Sequence, residues 1–281
     1  MRREYHCLVA GLPDILIDDS KLSVSLHEFK QELNEQLHEE DFDMIRLFMY
    51  RYDNENILTK LKDEEAAINT LGNLSEEDIN ELFILVKEGS YEDNKKFPAY
   101  LGQFISAYKE DNPLSDKVWE TQLSELYYQY ITGCKNVFIS KWFSFEKNLN
   151  NIIAAYTCRK HDYPIENHLI GEGEIVEKLI KSSSKDFGIS DEFPYMDTVM
   201  KIVEDEELLE RERRVDLIKW ELLDEETFFF YFTIEKIFAY FIKVSIIERW
   251  IKLDPETGKQ LFNELISNLE TSYSFPEEFT I

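Results

Sequence analysis

Cys158, His161 and His168 are the side chains whose types and spacing come nearest to a metal site. Structural zinc takes four ligands, usually in two close pairs. Cys158-x2-His161 offers one pair, no second pair follows, and His6-Cys7 is equally isolated. Gly171-Glu172-Gly173 has the outline of a phosphate loop. A dinucleotide fingerprint needs a third glycine, a preceding strand and an electropositive backbone, whereas Glu172 and Glu174 put negative charge there. Adjacent carboxylates such as Glu64-Glu65 and Glu76-Glu77 arise freely among 57 acidic residues. Acid–base work needs carboxylates in divergent environments, and adjacency does not supply that. The chain contains no Gly-x-Ser-x-Gly elbow, no Walker A loop and no His-Glu-x-x-His pair. The expectation is therefore a non-catalytic protein without cofactor, metal or small-molecule substrate. The alternatives are a helical enzyme using clustered acids with His161 or His168 as a metal site, and an unrelated helical adaptor.

The elements that would have to position any site are helices. In 281 residues there are only 9 Gly and 7 Pro, too few for a loop-dense β-barrel or sandwich, and 43% hydrophobic residues can build a large core. Ser25-Leu26-His27-Glu28 is a capping-box pattern, and Ser75 precedes Ile79, Leu82, Phe83 and Val86 at helical spacing. The best helices are expected over residues 119–131 and 137–156. In the second, Phe138, Trp142, Phe145, Leu149, Ile152 and Tyr156 form one apolar stripe, with Ser140, Ser144, Lys147 and Asn151 opposite. Glu146 and Asn150, one turn apart at the edge of that stripe, are expected to be partly buried and hydrogen-bonded. Glu207 with Arg211, and Glu210 with Arg214, are expected to pair along a solvated helix over 203–215.

Residues 228–247 are apolar enough to raise a membrane span, but Glu235, Lys236 and Lys243 fall within them. They read as a long helix of a soluble body, with Lys236, Ala239 and Lys243 on its wetter side, continuing a helical stretch over 220–251. A further helix is expected from Thr257 to about Asn268, with an irregular tail at Tyr273-Ser274-Phe275-Pro276. The opening residues 1–13 read as a short strand or extended segment packed on the body. The whole forms one all-α, elongated or funnel-like domain over 1–281, with a possible sub-boundary at 111–116.

Two segments echo each other. Residues 42–52 begin Phe42-Asp43, residues 145–156 begin Phe145-Glu146, and each leads to an acidic helix start, Ser75-Glu76-Glu77-Asp78 and Gly171-Glu172-Gly173-Glu174. A duplicated helical unit suggests a body gripped by partners, with Asp43, Glu146, Asn150 and Glu174 as candidate structural or interface residues. The net charge of −26 opposes nucleic acid and anionic lipid and favours a basic protein partner. Three scattered cysteines, Cys7, Cys134 and Cys158, give no disulfide framework and fit a reducing cytoplasm.

At Glu146-Lys147-Asn148-Leu149-Asn150-Asn151-Ile152-Ile153, Arg159-Lys160-His161-Asp162 and Leu169-Ile170-Gly171-Glu172-Gly173-Glu174, the chain resembles the C/d subunit family of V/A-type ATPases. Residues 5–14 and Glu248-Arg249-Trp250-Ile251-Lys252-Leu253-Asp254-Pro255-Glu256-Thr257-Gly258 are similar to a bacterial family whose genes accompany V-type ATPase genes. The resemblance implies an all-helical funnel of three related units. It also implies a non-catalytic socket between the membrane rotor ring and the central stalk, cytoplasmic and peripheral to the inner membrane through its complex, supporting proton or sodium ion transport. The partners implied are the stalk and ring subunits. This chain is shorter and more acidic than the usual member of that ATPase family, and the third unit is blurred around Leu222-Leu223-Asp224-Glu225.

Overall fold

A computed structural model describes residues 3–253, and among them every regular element is helical. The α-helices are α1 (His6–Gly11), α2 (Leu26–Gln36), α3 (Glu39–Lys62), α4 (Glu76–Lys87), α5 (Ala99–Lys109), α6 (Trp119–Thr132), α7 (Val137–Lys160), α8 (Glu174–Lys181), α9 (Met196–Val203), α10 (Leu208–Thr227) and α11 (Ile234–Leu253). Their ends follow local chemistry. Ser25 with Glu28 and Ser75 with Asp78 close reciprocal capping boxes. The longest helices carry charge suited to the helix dipole: α3 has Glu39, Glu40 and Asp41 in its first turn and Lys60 and Lys62 in its last.

Four features differ from the sequence reading. The opening segment is helical over His6–Gly11, docked by the Tyr5 amide on the Phe232 carbonyl at 2.7 Å. The stretch read as one helix over 220–251 is broken at residues 228–233, where five successive aromatics must be shared between core and surface. Ala239 and Lys243 are buried, the Lys243 ammonium lying on Asp224 at 2.5 Å and over the Trp220 ring at 4.4 Å. The expected charged helix also starts later, at Leu208, and Arg214 meets Asp205 at 3.5 Å. The readings for Thr257 to Asn268 and for Tyr273 to Pro276 lie outside the described residues.

The helices repeat. Phe48, Phe143 and Phe238 stand 95 residues apart, as do Tyr50, Phe145 and Tyr240, and Ile57, Ile152 and Ile247. These nine residues lie on α3, α7 and α11. The first and last sets are buried, and the middle set is half-buried. The preceding helices α2, α6 and α10 end at Gln36, Thr132 and Thr227, again one period apart within a residue. Two full periods of four helices are followed by α10 and a third long helix. That helix, α11, packs on α3, on α7 and on α2, joining the last unit to the first.

This register differs from the echo read in the sequence. Phe145 corresponds to Tyr50, not to Phe42, and the third unit, expected to be blurred around Leu222-Leu223-Asp224-Glu225, has those residues on α10 and the counterparts of Phe48 and Ile57 at Phe238 and Ile247. The N-terminal halves of α7 and α11 meet: the Phe143 and Phe238 rings are 5.8 Å apart, and Asn136 at the start of α7 donates to Glu235 at the start of α11 at 3.0 Å. The core continues across the turn at 111–116, where Trp119 packs on Phe104 and Tyr108. A second apolar cluster fills the space among the C-terminal half of α7, α8, α9 and α10.

Candidate functional site

The chemistry of this fold concentrates between the long helices. Arg51 on α3 and Glu146 on α7 occupy equivalent positions of the repeat, 95 residues apart, and face each other at 3.0 Å. Glu146 is 4% exposed and also accepts from the Tyr128 hydroxyl at 3.2 Å. The Arg51 guanidinium lies over the Phe48 ring at 3.7 Å and donates to the Phe48 carbonyl at 3.0 Å. Burial pushes the Glu146 carboxyl up, but the Arg51 charge, the more distant Lys219 and the hydrogen bonds outweigh it and hold it below the ordinary range. The pair borders a cavity of about 450 Å³, lined by Phe48 and Trp142 together with Asp216, Lys219 and Arg249. Asp216 is buried and accepts from Arg249 and from Trp250 Nε1 at 2.8 Å.

Two return loops are held the same way. Asn56 donates its amide to the Asn69 carbonyl at 3.0 Å and accepts from the Asn69 N–H at 2.7 Å. Asn151, at the equivalent place on α7, does the same with Ile170, at 2.9 and 2.8 Å. Each asparagine side chain thus satisfies both backbone groups of one loop residue. The third long helix has Ile246 at that position. Asp53 adds a second tie in the first unit, accepting from the Asn73 and Leu74 amides at 2.9 Å each. An alanine methyl at Gly72 would fall 2.5 Å from Asp53 Oδ1, so the chain there must be glycine to pass so close. Burial raises the Asp53 carboxyl although these donors pull it down.

Of the residues singled out in the sequence, Glu146 is buried and hydrogen-bonded. Asn150 is exposed, and its neighbour Asn151, assigned to the wet face, takes the buried position instead. Asp43 is exposed and pairs with Arg46 at 2.7 Å. Glu174 is exposed and pairs with Lys178 at 2.9 Å. The four do not converge. Sequence reasoning missed Arg51, Asp53, Asn56, Asn151 and Asp216. The signal for two of them was present: Asn56-Ile57-Leu58 and Asn151-Ile152-Ile153 share a pattern one period apart.

The loop at Gly171 is the clamped return loop, its N–H bonded to Glu125 at 3.0 Å. His161 and His168 flank the Tyr163 ring, at 6.0 and 6.1 Å between centroids. Among the described residues, no three His, Cys, Asp or Glu side chains are grouped to hold a metal ion, and no helix is long and apolar enough to cross a membrane.

The Arg51–Glu146 pair ties α3 to α7, each asparagine clamp ties a long helix to its own return loop, and the 95-residue period places the chain in the class of all-helical repeat proteins. The chain belongs to the family described as protein of unknown function DUF2764, whose model matches residues 1–273. No curated protein and no solved structure matches it.

Proposed function

We propose that this chain is a non-catalytic coupling subunit of a V/A-type ATPase, seated between the membrane rotor ring and the central stalk and supporting proton or sodium ion transport. The observation that carries the reading is the 95-residue period, kept through two full units and the start of a third, with α11 packed on both α3 and α7 and the Arg51–Glu146 pair bridging α3 and α7. That agrees with the three-unit helical funnel implied by the resemblance to the C/d subunit family. A part that transmits torque needs internal ties that do not slip, and the two asparagine clamps and the buried ion pair are ties of that kind. The net charge of −26 suits basic surfaces on the stalk or the ring. Its place would be cytoplasmic and peripheral, held at the membrane by the complex.

The test is ATP-driven ion uptake in inverted membrane vesicles from cells lacking the gene. Uptake should fall while ATP hydrolysis by the soluble head persists, and purified protein should restore it. Uptake unaffected by the deletion would overturn the reading.

A further inference from the structure

We infer that the aromatic turn between α10 and α11 is a docking surface for a protein segment that combines apolar side chains with Lys or Arg. The repeat shows why this turn is unusual. The corresponding connections are two residues long between α2 and α3, four between α6 and α7, and six here. By register, residues 229–233 correspond to residues that are helical in α3, so the third long helix has given up its first turn. What replaces it is Phe228-Phe229-Phe230-Tyr231-Phe232.

Two of the five aromatics serve the fold. Phe230 packs on Phe138 at 6.1 Å, and Phe232 on His6 at 4.3 Å. The other three point out: Phe228 is 67% exposed, Phe229 78% and Tyr231 63%. Val137, beside Phe138 at the adjacent connection, is 82% exposed. Exposed aromatics clustered on one turn, with the Phe228 and Phe229 rings 4.9 Å apart, mark interaction sites, and in repeat proteins the connections that vary between units gather on one face, often the binding face.

Charge selects the occupant. Glu221, Asp224 and Glu225 are exposed on the last turns of α10, next to the aromatics. Asp224 is neutralised by Lys243 and Glu226 by Lys141, whereas Glu221 and Glu225 have no cation against them among the described residues. Acidic side chains on the helix turns that lead into an exposed apolar turn, Glu225 among them although it accepts from the Tyr195 hydroxyl at 3.1 Å, complement a basic, apolar-tipped partner. A second copy of a chain carrying −26 is repelled, as is an anionic bilayer.

The inference rests on the coupling-subunit reading for the identity of its partner. Full-length protein is titrated against the rotor ring in nanodiscs, against purified central stalk and against empty phosphatidylcholine nanodiscs. The variants are F228S/F229S/Y231S and E221Q/E225Q. Because all the replaced side chains are exposed, their thermal midpoints should match wild type, which separates lost docking from lost folding. The triple serine variant should lose at least tenfold in affinity for ring or stalk, and the glutamine variant should bind more weakly with a shallower salt dependence. If wild type binds ring or stalk and the triple variant binds equally, this surface is overturned while the coupling role stands. If wild type binds neither, both fail. Binding to empty nanodiscs that the triple variant loses would mean a lipid occupant and would also overturn the inference.

Discussion

Glu146 is the residue on which the meeting of α3 and α7 most depends. Its carboxylate is buried, its partner comes from 95 residues away, and Tyr128 takes another lone pair. Removing it leaves the Arg51 guanidinium without its carboxylate partner beside the cavity. Breaking a sealed pair costs about 3–5 kcal/mol. Arg51 retains 29% exposure, so the loss for Glu146→Ala should sit nearer the roughly 1–3 kcal/mol of an unpaired polar group. Urea midpoints of the two proteins measure it. No chemistry should be lost, and a variant as stable as wild type would remove Glu146 from the account. The pair also sets an acid limit. The folded carboxyl titrates below its unfolded value of about 4.3, so the unfolded chain binds the extra proton first. The stabilisation is complete above that value and fades as pH falls through the folded one. Between pH 6 and 3, wild type should lose more stability than Glu146→Gln, and parallel curves would contradict the shift.

At the scale of elements, the asparagine clamps carry the sharpest contrast. Asn151→Ala strips partners from both backbone groups of Ile170, and Asn56→Ala does so for Asn69. Each should cost about 1–3 kcal/mol, with faster amide exchange at Ile170 or Asn69. Asn150→Ala, one residue away and exposed, should stay within about 0.5 kcal/mol. Equal effects at 150 and 151 would show that the clamp is not structural. The helices and their caps were legible because Ser25, Glu28, Ser75 and Asp78 act within one turn. The choice of Asn150 over Asn151 failed because one residue is about 100° of helix rotation, and a stripe drawn from its aromatics does not fix its edge that finely. The period was hidden because the visible echo was an aromatic–acid pair, half of it surface, while the repeat is kept by interior positions such as Phe48, Ile57 and their counterparts. Arg51 could not be paired with Glu146 from sequence, since the contact exists only once two units lie side by side.

For the whole molecule, charge and shape point the same way. A chain with 57 acidic and 31 basic side chains attracts basic partners over a range that salt shortens to roughly 8–10 Å at physiological ionic strength. Association with ring or stalk should therefore weaken as salt rises, read as the dissociation constant across a salt series. Binding indifferent to salt would assign the interface to the aromatic turn alone. The measurement that bears most directly on the coupling role is electron cryomicroscopy of the intact ATPase, purified through a tag on its catalytic head. The chain should appear between rotor ring and central stalk, with its three long helices grouped at the rotor axis. An ATPase that is complete and competent for ion transport without this chain would contradict the account.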